Sequence, residues 1–130
     1  MSRVRTFIFV LMAVALGFIH EARADSRCGW IGAEVTPMTE AFAVSLGMAV
    51  PHGAIFKQPQ PGSPAARRKI HAGDVVTRIN GIPLKSSRDF EPRILAMAPG
   101  TRIHLSVFRN RQPISFTVPL GSTKCPQVPQ

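Results

Sequence analysis

Much of what marks an enzyme or a metalloprotein is missing from this chain. It has two cysteines and four histidines; His52, His71 and His104 stand at no mutual ligand spacing, so no metal or cofactor is expected. Neither a Gly-x-Ser-x-Gly run nor a His-Glu-x-x-His run occurs, which removes two common signatures of hydrolases. Acidic residues are scarce, 7 against 16 Lys and Arg, for a formal charge of +9. A basic chain invites polyanions, but no basic strand carries the interleaved aromatics of RNA-binding modules, and no nucleic acid is expected. Charged residues make up 18% against 45% apolar, a balance that builds a core rather than a disordered tail.

Long apolar runs are scarce too. The one present, Thr6 to Ile19, spans ~21 Å as a helix, short of the ~30 Å of bilayer hydrocarbon. With Arg3 and Arg5 before it and Ala22-Arg23-Ala24 after it, the run reads as a cleaved export signal, 1–24, and places the chain in the periplasm or outside the cell. About 106 residues then remain, one domain's worth and too few for a two-lobed enzyme. An oxidising compartment lets Cys28 pair with Cys125, near the two ends of the mature chain. Closing so long a loop removes roughly 4 to 5 kcal/mol of unfolded-state entropy. Two free thiols are the alternative.

Twelve prolines and ten glycines imply many turns between short elements. Trp30 to Glu34 reads as a loop feeding a strand through Val35. Thr39 is placed to cap a short helix that carries Phe42, Ala43 and Leu46 on one face and stops at Gly47. Gly53 to Phe56 is a brief strand. Ser63-Pro64 opens a second helix, cap residue first and proline in the first turn. Val75 to Ile79 is a strand closed by the turn pair Asn80-Gly81. Ser86 or Ser87 caps a third helix, expected to reach about Ala98, in which Pro92 fits only within the first turn. Last come the alternating Ile103-Leu105-Val107 and Ile114-Phe116-Val118-Leu120, a β-hairpin turning at Asn110-Arg111. The fold class is a small α+β domain with a strongly curved, partly closed sheet.

Pro61-Gly62-Ser63-Pro64-Ala65-Ala66, then Gly73-Asp74-Val75-Val76, then Asn80-Gly81, with Trp30-Ile31-Gly32-Ala33 ahead of them, resemble the circularly permuted PDZ domains of bacterial HtrA/Deg-type proteases. The resemblance spans about 29–121, between a short segment 25–28 and a Pro/Gln-rich tail 122–130. It implies a PDZ-like small curved antiparallel β-sandwich or partly open barrel with two to three short helices. Two departures stand out: Arg68-Lys69 replaces the helix-ending Ala-Gly usual in such domains, so either Lys69 takes a strained left-handed conformation or the helix ends otherwise. Asn110-Arg111 likewise stands where Asn-Gly or Asp-Gly is common.

Peptide binding has its own physical case. A glycine-bearing loop before an open strand edge can turn successive amides toward an anion. Ile31, Gly32 and Ala33 are the candidate carboxylate-binding loop. The following strand, including Val35, is the edge on which an extended peptide adds. The resemblance makes the third helix the opposite wall, where a helical wheel puts Phe90 and Ile94 in the core and Arg88, Glu91 and Leu95 toward the ligand. The expected function is therefore an exported, non-catalytic module that binds protein C-termini or extended peptides, as an adaptor, substrate-presenting or sensing protein. A periplasmic protease or its substrates are the partner class implied. The alternative is electrostatic: Arg67, Arg68 and Lys69, with Arg102, Arg109 and Arg111 on the hairpin, form a patch for polyanions or an anionic membrane surface.

Overall fold

The alternating hairpin is the spine of the domain. In the computed structural model, which describes residues 26–127, β6 (Arg102–Arg109) pairs with β7 (Gln112–Pro119) from Arg102↔Pro119 to Arg109↔Gln112. Ile103, Leu105, Val107 and Val118 are buried, as a period of two requires when one sheet face meets a core. The two-residue turn has φ 51° at Asn110 and 63° at Arg111, the double positive φ that matches the twist of a tight hairpin. Arg111 occupies it without glycine, and its Nε donates to the Ser45 carbonyl at 2.9 Å.

β6 also pairs with β4 (Val75–Ile79), which pairs with β3 (Ala54–Phe56), which pairs with β2 (Val35–Pro37). A two-residue strand, β5 (Ile82–Pro83), folds back on β4 across Asn80-Gly81. The sheet order is β2-β3-β4-β6-β7, antiparallel throughout, with β2 at one edge. A separate antiparallel pair joins β1 (Arg27–Trp30) to β8 (Gly121–Lys124). Neither strand was expected. β8 runs to Lys124, within the segment read as a tail, and β1 begins at Arg27, ahead of residue 29. Gly-Ser-Thr-Lys has no apolar alternation to announce it; only its partner strand makes it β-structure. The expected export signal, 1–24, falls within residues 1–25, which with the last three residues lie outside the described part.

Three short helices cover this framework. Thr39 accepts from the Phe42 amide and starts α1 (Glu40–Ser45). Ser63 accepts from the Ala66 amide and starts α2 (Pro64–Arg67). Lys69 has φ 62°, the left-handed conformation that glycine usually takes at such a helix end. Ser86 caps a 3₁₀ turn, Ser87–Asp89, that runs into α3 (Phe90–Leu95). α3 ends before Ala98, where the sequence reading extended it. Ala96 and Met97 amides close onto the carbonyls of Pro92 and Ile94, and the Met97 carbonyl accepts instead from Gly29 at 2.8 Å. Phe56 and Phe90 meet edge to face at 5.4 Å and fix α3 over the sheet.

Cys28 and Cys125 form a disulfide with Cα atoms 5.1 Å apart and a sequence separation of 97. It clasps β1 to β8 just before the chain enters the loop at residue 31.

Candidate functional site

The loop between β1 and β2 is held from behind through its carbonyls. Ile31 C=O accepts from Ala65 N–H at 3.0 Å and Gly32 C=O accepts from Gln60 N–H at 2.8 Å. In an extended chain successive carbonyls alternate sides; here two in a row turn inward because Gly32 has φ 78°. All peptide bonds are trans, so the amides of Gly32 and Ala33 point the opposite way, outward. Among the described residues neither amide has an acceptor. Two adjacent donors with one direction make an anion-binding concavity.

Gly32 is required for a second reason. A Cβ there would lie 2.2 Å from Ser63 Cβ and 3.0 Å from Trp30 Cζ2. α2 thus supports the loop by direct backbone contact, with buried Ser63 at its start and Ala65 beneath Ile31.

β2 continues the loop as an open edge. Phe56 directs its N–H to Asp74 and its C=O to Gly73, away from β2. Val35, directly opposite Phe56, therefore presents its own N–H and C=O to the other side, where no described strand pairs. Across from this edge stands α3, and the two enclose a cleft of about 580 Å³.

The structure brings all seven groove residues named from the sequence to this cleft. Ile31, Gly32 and Ala33 form its closed end, and Val35 its strand wall. Arg88, Glu91 and Leu95 line the helix wall, the two charged residues exposed and Leu95 half-buried. Phe90 and Ile94, 2% and 3% exposed, supply an apolar floor. Sequence reasoning did not assign Trp30, Gln60, Ser87 or Pro92, which also line it. Trp30 stood in the quoted motif; nothing in the sequence pointed to Gln60, which reaches the site only through the turn before α2.

The basic cluster divides. Arg67 and Arg68 border a second depression of about 400 Å³ with Pro64, Pro119 and Leu120, and Lys69 is exposed beside them. Arg109 is not part of a free patch. Its Nε donates to Asp74 Oδ1 at 2.8 Å and its Nη2 to Asp74 Oδ2 and to the Lys69 carbonyl, at 2.6 and 2.8 Å. Asp74 is buried and also accepts from the His71 amide. Hydrogen bonding to Asp74 raises the Arg109 pKa above its ordinary value, against desolvation and with help from the Asp74 charge. Its guanidinium lies 5.5 Å from the Phe116 ring centre. Arg111 is tied to α1, so of the three hairpin arginines only Arg102 remains as exposed charge without a described partner.

A pair of outward amides, an open strand edge and a facing helix are the elements of the strand-augmentation class of module. Residues 29–120 match the PDZ domain family, and the chain belongs to that family, in its HtrA-type branch. It is 36% identical over 94 residues to a probable periplasmic serine endoprotease DegP-like of Rhizobium meliloti, covering 72% of this chain and 19% of that protein. It is 34% identical over 99 residues to the periplasmic pH-dependent serine endoprotease DegQ of Escherichia coli, covering 76% and 22%. The chain thus spans under a quarter of these relatives' length, in their PDZ region. Among solved structures, the HtrA-type protease AlgW with a decapeptide superposes with TM-score 0.66 at 30% identity, over 77% of this chain and 31% of that one. The HtrA3 PDZ domain bound to a phage-derived ligand, FGRWV, shares the fold at TM-score 0.62 and 23% identity, over 75% and 89%.

Proposed function

We propose that this chain is an exported, non-catalytic peptide-binding module that takes protein C-termini or extended peptides onto β2 and serves as an adaptor, substrate-presenting or sensing protein. The observation that carries this reading is the pair of outward amides at Gly32 and Ala33, continuous with the open edge at Val35. A terminal carboxylate would sit on the two amides. The peptide main chain would pair antiparallel with β2, and its last side chain would enter the apolar end near Ile31, Ile94 and Leu95. Arg88 and Glu91 would meet charged side chains upstream. Export is supported by the 1–24 signal pattern and by the periplasmic relatives, whose proteolytic substrates and their C-termini are the partner class that fits.

A screen of free-acid C-terminal peptides against the oxidised domain tests this. Saturable binding lost in Gly32→Trp is the expected result; no binder, or binders indifferent to that substitution, would reject it. The second reading, a polyanion or anionic membrane on Arg67, Arg68 and Lys69, draws on the depression those arginines border. Salt separates the two. Affinity carried by several charge contacts falls steeply between low and physiological salt, whereas main-chain pairing changes little.

A further inference from the structure

The sheet has a second margin, far from the cleft. β7 stands last in the order β2-β3-β4-β6-β7, and among the described residues no strand pairs with its outer side. His104 directs its N–H to Asn80 Oδ1, and its C=O accepts from the Asn80 amide, both at 2.8 Å. Thr117, directly opposite His104, therefore turns its own N–H and C=O to the outside. Alternation gives Pro113, Ser115 and Pro119 the same direction. The outer edge thus offers a donor and an acceptor at Ser115 and at Thr117, and carbonyls alone at the two prolines.

Natural edge strands are commonly guarded by charge, lysine above all. β7 carries no charged residue, although the chain holds 16 Lys and Arg. Its sequence is instead a palindrome of residue types about Phe116: Pro113 and Pro119, Ile114 and Val118, and Ser115 and Thr117 stand at equal distances on either side. A two-fold axis that pairs one β7 antiparallel with another, centred on Phe116, sets every residue against its own type, as an isologous contact requires. Ser115 then exchanges two main-chain bonds with Thr117 of the second copy, and Thr117 does so with Ser115 of that copy. The Phe116 side chains meet across the axis, and both prolines fall outside the bonded run. Aromatic pairs and Ser–Thr pairs are favoured cross-strand neighbours. The adjacent antiparallel registers instead put a proline opposite Ser115 or Thr117.

We infer that β7 is a homodimerisation edge, joining two copies of this chain into one continuous sheet through Ser115 and Thr117. The prolines confine pairing to this short run, and a two-fold contact occupies the edge it forms on, so the assembly closes as a dimer. β2 lies at the opposite margin, and the dimer leaves both clefts open. Arg67 and Arg68 border Pro119, and the axis holds the two Pro119 residues about 20 Å apart along the strands. That exceeds the ~8 Å over which charges act at physiological salt. The dimer should accordingly tighten, not loosen, from low to physiological salt.

Sedimentation velocity on the oxidised chain from ~5 to ~500 µM, a span suited to a small interface, tests the proposal. A reversible monomer–dimer equilibrium is expected. Ser115→Pro removes an exposed donor that has no acceptor within the described residues. It withdraws half of the bonds across the axis and should weaken the dimer by about tenfold to hundredfold, with Tm unchanged. The register is read by cross-linking. Ser115→Cys and Thr117→Cys chains, mixed, should form an intermolecular disulfide faster than either variant alone, because directly opposed Cα atoms lie about 5.5 Å apart while like positions are diagonal. A chain that stays monomeric over the whole range overturns the proposal. So does a dimer untouched by Ser115→Pro, or a mixture that cross-links no faster than its components. If Ser115→Pro disturbs the fold, the near-isosteric cysteine variants decide alone.

Discussion

At Gly32 two independent demands fall on one backbone position. The residue must hold a left-handed φ of 78°, and it must come so close to Ser63 that an added Cβ would stand 2.2 Å away. Gly32→Ala should therefore destabilise the domain by about 3 kcal/mol, from the conformational penalty and local overpacking together, read as a fall in the urea midpoint. Lys69 shows the converse. It holds φ 62° with an exposed side chain, and its contribution to the fold is its carbonyl, which any residue supplies. Lys69→Gly should stabilise by about 1 kcal/mol, a rise in Tm of several degrees by calorimetry. The Lys69 strain was legible in the sequence, since Arg68-Lys69 replaces a helix-ending glycine. The Gly32 contact was not, because Ser63 is 31 positions away and only α2 brings it there.

Among the elements, the β1/β8 pair links the disulfide to both walls of the cleft. β1 runs directly into the loop at Ile31, and Gly29, where a Cβ would lie 2.8 Å from the carbonyls of Ile94 and Met97, seats it against the end of α3. Its partner is a strand of Gly, Ser, Thr and Lys with little apolar surface of its own, so the covalent link is a large share of what keeps the pair closed. Replacing both cysteines by serine should lower stability by about 4 to 5 kcal/mol, the value for a loop of this length. It should also weaken the best C-terminal peptide severalfold in a titration. Equal affinity in the oxidised and serine forms would dissociate the clasp from the cleft. The cysteines and their spacing announced the bridge, but the short polar strands it closes carry no signal without each other.

Across the whole molecule, Asp74 and Arg109 join regions distant in sequence. Arg109 ends β6, Asp74 precedes β4, and the Lys69 carbonyl follows α2, the helix that supports the loop at Ile31 to Ala33. The carboxylate is buried and holds a bidentate guanidinium. Arg109→Ala leaves it with the His71 amide alone and should lower unfolding free energy by about 3 to 5 kcal/mol. A raised arginine pKa contributes stability that is complete below the ordinary value and is lost only as pH climbs past it. The deficit should consequently be the same at about pH 6 and about pH 8 in denaturant titrations. Composition counted Arg109 as surface charge. Only the packed structure shows it turned inward.

The order of strands, turns and caps was determined by the chain itself, because apolar alternation, capping hydroxyls and turn pairs act over a few neighbours. Glycine at position 32 ahead of a strand brought the loop at Ile31 to Ala33 into consideration, and the family resemblance brought the helix near Leu95. Tertiary structure decided what local forces cannot: which carbonyls are drawn inward so that the Gly32 and Ala33 amides face out, which edge of the sheet stays open, and which arginine is spent on a buried carboxylate. Each of these depends on a partner dozens of residues away, and a hydrogen bond or a close contact exists only once both sides have been brought together.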